Sequence, residues 1–153
     1  MLARPSNGWT DFHLEGSQIY GLSNLDDIAF EWVHQAILGL ETLSPFCVKG
    51  LLEPNRFLCT VSYWNCHIII EKEDCYPLEK EDTINEVSHT SMIEFCKYLY
   101  EDINLYLEEW VRFPHCENCN IADRRNTLSK RLEKLKELII ENEKLFENKL
   151  GFL

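Results

Sequence analysis

Residues 46–71 most restrict what this chain can fold into. "FCVKGLL", "RFLCTVSYW" and "CHIIIEKE" are strand-like runs separated by little more than "EPN" and "WN". The middle run alternates, with Phe57, Cys59, Val61 and Tyr63 on one face and Leu58, Thr60 and Ser62 on the other. Successive side chains of a strand point to opposite faces, and β-branched and aromatic residues suit a pleated, half-buried surface. "EPN" is a good turn, with proline at a favoured turn position. Three strands joined by short turns form an antiparallel meander, and "TINEVSH" offers a fourth.

On both sides of this region the period becomes helical. In "LSNLDDIAFEWVHQAILGLETLSP" the apolar positions Leu25, Ile28, Ala29, Trp32, Val33, Ala36, Ile37 and Leu40 recur at i, i+3, i+4. Ser23 or Asn24 is expected to cap this helix, Asp26 and Asp27 lie in its first turn, and Pro45 stops it. "HTSMIEFCKYLYEDINLYLEEWVRFP" carries a stripe of Met92, Phe95, Cys96, Leu99, Ile103, Leu107 and Trp110. Ser91 and Glu94 have capping-box spacing, Glu94, Glu101, Asp102, Glu108 and Glu109 lie largely off the stripe, and Pro114 ends it. A last helix is expected from about Thr127 to Leu150, with a seam of Leu128, Leu132, Leu135, Ile139 and Phe146. Its lysine and glutamate pairs at i, i+4 support it. "WTDFHLEG" alternates and reads as a short strand ending at Gly16. Strands followed by helices predict an α+β fold, a three- or four-stranded antiparallel meander covered on one face by three helices.

The 153 residues suffice for one domain, 1–153, with a core of its own, and 45% hydrophobic content excludes a disordered chain. No apolar run approaches the roughly 18 residues of a bilayer span, and "MLARPSNGWTDF" lacks the apolar stretch of a secretory signal, so a cytoplasmic protein is expected. Seven cysteines is an odd number, Cys47, Cys59, Cys66, Cys75, Cys96, Cys116 and Cys119, and in a reducing compartment they are expected as free thiols packed like small hydrophobes.

The stretch "RFPHCENCN" invites a metal reading, because Cys116 and Cys119 have C-x-x-C spacing beside His115. A structural zinc site needs four ligands. This knuckle has no obvious second pair, although Cys75 or the Cys66–His67 pair would complete it if folding brought them near. The competing expectation is a helix–helix loop with Asn118 and Asn120 as turn residues, and no metal or cofactor. A thioredoxin-like pair would sit before a helix in a βαβ setting, which the preceding residues do not offer. Cys66 and His67 are strand neighbours on opposite faces and cannot form a catalytic dyad with each other; His13, His34 and His89 remain as bases that nothing in the sequence places. The chain has no G-x-S-x-G, P-loop, H-E-x-x-H or dinucleotide fingerprint.

Charge says more. The net charge is −11, and from Glu71 to Glu109 twelve acids face three lysines, whereas the stretch from Val111 onward is net +2. Such a surface repels nucleic acid and anionic lipid and steers basic partners toward it. Within "EKEDCYPLEKEDTINE" the expected partner-binding residues are Glu71, Glu73, Asp74, Tyr76, Glu79, Glu81 and Asp82, an aromatic anchor ringed by acids. The competing expectation is a solvated strand end and loop.

"DDIAFEWVHQAILGL", "LLEPNRFLCTVSYWNCHIII", "IEFCKYLYEDINLYLEEWVRFP" and "LEKLKELI" together resemble small acidic immunity proteins, encoded in bacteria beside polymorphic or contact-dependent toxins. The resemblance implies a non-enzymatic inhibitor that binds one cognate toxin domain, and such toxins are often basic nucleases. The loop "HCENCNIADRRN" has no counterpart in that pattern. Three other readings stand beside it: a nucleic-acid mimic, a zinc-stabilised regulatory domain and an enzyme with a dispersed site. The partner expected is a protein, not nucleic acid or membrane, and the chain itself is expected as a monomer or weak dimer, since the last helix's seam has few residues beyond what a core consumes.

Overall fold

A computed structural model describes residues 1–72 and 83–150, the last five by backbone alone. The chain is α+β. Strand β1 (Trp9–Phe12) pairs antiparallel with β2 (Tyr20–Ser23), and the chain then enters α1 (Ile28–Thr42). Four strands follow, β3 (Phe46–Leu51), β4 (Arg56–Val61), β5 (Cys66–Glu71) and β6 (Thr83–Ser88), in the meander order β3-β4-β5-β6. Helices α2 (Met92–Leu105), α3 (Leu107–Val111) and α4 (Ile121–Leu150) complete the chain. No described helix is long and apolar enough to cross a membrane.

The meander follows from its alternation. Phe57, Cys59 and Val61 of β4 and Cys66, Ile68 and Ile70 of β5 are buried under the helices, as are Phe46 and Val48 of β3. Tyr63, expected on the same face, lies past the end of β4 and is exposed. Trp32 of α1 sits at the centre of the core. Its ring stacks near Phe57 (6.0 Å) and Phe95 (6.3 Å) and meets Phe12 edge-on at 5.5 Å. Helix α4 packs across α1 and α2.

Three element boundaries differ from expectation. Helix α1 begins at Ile28, because Ser23 is taken by the β1–β2 ladder opposite Trp9. Neither Ser23 nor Asn24 caps it; Asp27 holds the N-cap position, and Leu25 is exposed rather than part of the apolar stripe. The second helix keeps its Ser91–Glu94 capping box but breaks at Tyr106 (φ −120°, ψ 43°), so four helices replace three. Beyond the break Trp110 is still buried, edge-on to Phe113. Helix α4 starts six residues early, because Asn120 is its cap: the Asp123 N–H donates to Asn120 Oδ1 at 3.1 Å. The buried seam includes Leu128, Leu132, Leu135 and Ile139, while the side chain of Phe146 lies outside the described residues.

Gly39, in the last turn of α1, is required by packing. A Cβ there would sit 2.3 Å from Phe46 Cδ1. Overpacking of this kind costs about 1–3 kcal/mol, and the better helix propensity of alanine returns about 1 kcal/mol. Gly39→Ala is therefore expected to be net destabilising in urea unfolding; a stabilised variant would show that Phe46 can turn aside freely.

Candidate functional site

Antiparallel register places one set of side chains on the face of the sheet that the helices do not cover. Cys47, Thr60, His67 and Val87 form one row across β3-β4-β5-β6; Lys49, Leu58, Ile69 and Asn85 the next; Leu51, Arg56, Glu71 and Thr83 the third. Leu51, Leu58, Ile69 and Val87 therefore run diagonally across this face as an apolar stripe between polar residues. None of the four is buried, and Val87 is 62% exposed. The described helices bury the opposite face instead, with Phe57, Cys59, Val61, Ile68 and Ile70 under them.

At the Glu71 corner the face descends into an open cleft of about 400 Å³. Asp26, just before α1, contributes to its wall together with Lys49, Arg56 and Glu71. Glu71 is half-buried, with its carboxylate 3.6 Å from the Arg56 guanidinium. Burial pushes the carboxyl of Asp26 above its ordinary range, with Lys49 pulling the other way. Glu31, one turn into α1, is raised by burial and then by Asp26. Raised carboxyls cost stability as pH climbs through the carboxylate range, and a cation arriving beside them offsets that cost.

The seven residues expected to bind a partner divide accordingly. Glu71 lies at this corner; Glu73, Asp74, Tyr76, Glu79, Glu81 and Asp82 lie outside the described residues. Several acids of the helices are already engaged within the molecule. Arg4 Nη2 donates to Glu109 at 2.7 Å, Arg125 forks onto Glu108 at 2.5 and 2.8 Å, and Lys97 pairs with Glu143. Asp102 accepts the Leu2 N–H at 2.9 Å, and Glu94 closes the capping box. The hydrogen bonds from Arg125, opposed by slight desolvation, hold the Glu108 carboxyl below its usual range. Sequence position alone does not show that most of these acids are answered, because Arg4, Arg125 and Lys97 each reach an acid on a different element.

The cysteines also divide. Cys116 and Cys119 are joined as a disulfide in the loop between α3 and α4, correcting the expectation of free thiols for this pair. Three residues apart in a tight loop, their Cα atoms are 5.7 Å from each other, within bridging reach. Sulfurs so joined supply no thiolate to zinc, so this geometry does not build a knuckle. Cys75 lies outside the described residues. Among the described residues, no three His, Cys, Asp or Glu side chains converge on a common point that would hold a metal. Cys59 and Cys96 are buried free thiols and both are pushed up, Cys59 chiefly by a hydrogen bond with the Cys66 thiol and Cys96 by burial. Protonated, enclosed thiols are poor nucleophiles. Cys66 is buried and its Sγ contacts Thr90 O at 3.4 Å, while His67 faces the other side and meets Asn85 Oδ1 at 3.1 Å. His89 is bound to Asn65 Oδ1 at 2.9 Å.

No protein-family model, curated protein or solved structure matches this chain.

Proposed function

We propose that this protein is a non-enzymatic inhibitor of the immunity type, which binds a basic, nuclease-type toxin domain and blocks it. The observation that carries the reading is the uncovered sheet face. Its apolar stripe supplies area to bury, and its Glu71 corner leads directly into the chain's most acidic stretch, from Glu71 to Asp82. A stripe of aliphatic side chains edged by charge has the make-up of a protein interface, a dry centre with a polar rim. The cleft beside it holds Asp26 and Glu71 opposite Lys49 and Arg56, so a partner's lysine or arginine would exchange with these cations for the two carboxylates. The inhibitor requires no metal or cofactor and acts by occupying the toxin's surface.

The test is size-exclusion chromatography and titration against the toxin domain encoded beside this chain's own gene. A one-to-one complex is expected. Reversing Glu71, Glu79 and Glu81 to lysine is expected to weaken it about 100-fold at low salt, mostly by slowing association, and the difference should shrink as salt rises. The loss of fold stability should be small, since water screens the partly exposed Arg56–Glu71 pair, and Glu71→Gln separates loss of that pair from repulsion between the introduced lysine and Arg56. A complex indifferent to the reversal would remove the acidic stretch from the interface, and absence of any complex would overturn the reading. Competition by duplex DNA for the toxin separates a nucleic-acid mimic from an inhibitor docked outside the active site.

A further inference from the structure

We infer that β6 is the docking strand of the inhibitor, and that an extended segment of the basic partner adds to its free edge as a fifth strand of the sheet. The proposal rests on the inhibitor reading and specifies how the partner is held. Backbone polarity in the sheet identifies the free groups. In the β4–β5 turn the Ser62 N–H donates to Asn65 O at 2.8 Å, and in the β3–β4 turn the Leu52 N–H donates to Asn55 O at 2.7 Å. Hydrogen-bonded and non-bonded pairs alternate along an antiparallel ladder. Counting from Ser62–Asn65, the pairs of β5 with β6 that exchange hydrogen bonds are Cys66–Ser88, Ile68–Glu86 and Ile70–Ile84. The backbone N–H and C=O of Asn85 and Val87 therefore point away from the sheet, and among the described residues nothing meets them.

The two edges of the sheet differ. On β3 the same alternation turns the backbone groups of Cys47 and Lys49 outward, but there α1 is packed alongside and Trp32 Nε1 donates to the Lys49 carbonyl at 2.8 Å. On β6 the sequence "TINEVS" has no proline, lysine or glycine, the residues that commonly blunt an exposed edge. Its one inward charge, Glu86, is occupied, accepting from the Tyr20 hydroxyl and, at 3.3 Å, from the Gln18 N–H. Val87 on one face and Ile84 on the other are exposed and offer apolar contacts to alternate side chains of an added strand. Strand addition draws its affinity from such main-chain groups and its selectivity from the neighbouring side chains. The occupant is a basic segment of another protein rather than a second copy, because two copies each carrying −11 repel.

Amide hydrogen exchange read by NMR, on the full chain alone and with the adjacent-gene toxin domain, tests this. In the free chain the Asn85 and Val87 amides should exchange freely while those of Ile84 and Glu86 are protected. In the complex, Asn85 and Val87 should gain about tenfold protection or more. Asn85→Pro removes an outward N–H without touching the backbone ladder with β5. It also loses the exposed Asn85 side-chain bonds to His67 and Thr83, so Asn85→Ala is the reference, whose circular dichroism and melting profile the proline variant should match while binding toxin about 100-fold more weakly. Protection of both amides in the free chain, whether constant or rising with concentration, would overturn the proposal by showing the edge already occupied. A complex in which both amides still exchange freely, or which tolerates Asn85→Pro, would overturn strand addition and leave the inhibitor reading standing. No complex at all would overturn both.

Discussion

Trp32→Ala should be the most damaging single substitution in the core. The indole is fully buried, flanked by Phe12, Phe57 and Phe95, and its Nε1 satisfies the Lys49 carbonyl at the edge of β3. Truncating a buried tryptophan costs about 3–5 kcal/mol, part transfer and part cavity. The orphaned carbonyl is at the sheet edge and can take water, so it adds little to that figure. A loss of this size is a large share of what a domain of this length possesses. Urea unfolding should show a much lower midpoint, with the slope retained if the native state stays compact. Trp32→Phe should recover most of the stability, because it refills the cavity but cannot donate to Lys49. A Trp32→Ala loss below about 1 kcal/mol would mean that the sheet and α1 do not share this core.

Arg124→Ala should follow, at about 2–3 kcal/mol. One guanidinium joins three elements. Nη1 and Nη2 of this α4 residue donate to Asp27 at the head of α1, at 2.9 and 3.2 Å, and Nε donates to Val111 O at the end of α3 at 2.9 Å. Its plane also lies 4.1 Å from the centre of the Phe30 ring. The side chains of Arg124 and Asp27 are 16% and 26% exposed, so water screens the pair in part and the expected loss sits below that for a dry buried pair. Arg124→Lys should restore little, since an ammonium cannot make the fork, the carbonyl bond and the ring contact together. A double-mutant cycle with Asp27→Asn measures the pairwise part. Coupling near zero would assign Arg124's role to Val111 and Phe30 instead.

These two residues show how unevenly the structure was legible. Trp32 was visible as core from its i, i+3, i+4 spacing, because a helix against a sheet must bury one stripe whatever its neighbours are. Arg124 was not, since its partners lie 97 and 13 positions away. It sits in a stretch that read as loop because Asn120, the true cap of α4, also looks like a turn residue. The start of α1 was misplaced for the same kind of reason: Ser23 and Asn24 are good caps locally, but β1 claims Ser23 for a strand pair. The β2 strand "YGLS" is four residues long, too short for a period, and exists because β1 lies beside it.

The candidate site follows the same division. The alternation in residues 56–71 determined by itself that an antiparallel meander would form and that Leu58 and Ile69 would share a face opposite Phe57 and Ile68, because side chains on a strand repeat every two residues. It likewise placed Cys66 and His67 on opposite sides. That helices would cover one face followed from the order of elements; only the tertiary structure decided which face that is, leaving Leu58 and Ile69 partly accessible among the described residues. It also decided that Trp32 answers a carbonyl at the edge of β3, and that Glu109, Glu143 and Glu108 of the helices are paired with Arg4, Lys97 and Arg125. Periodicity is a local property and survives in a linear string of residues. Which face is covered, which edge is guarded and which charge is answered depend on pairs far apart in the chain, and those pairs exist only once the core has closed.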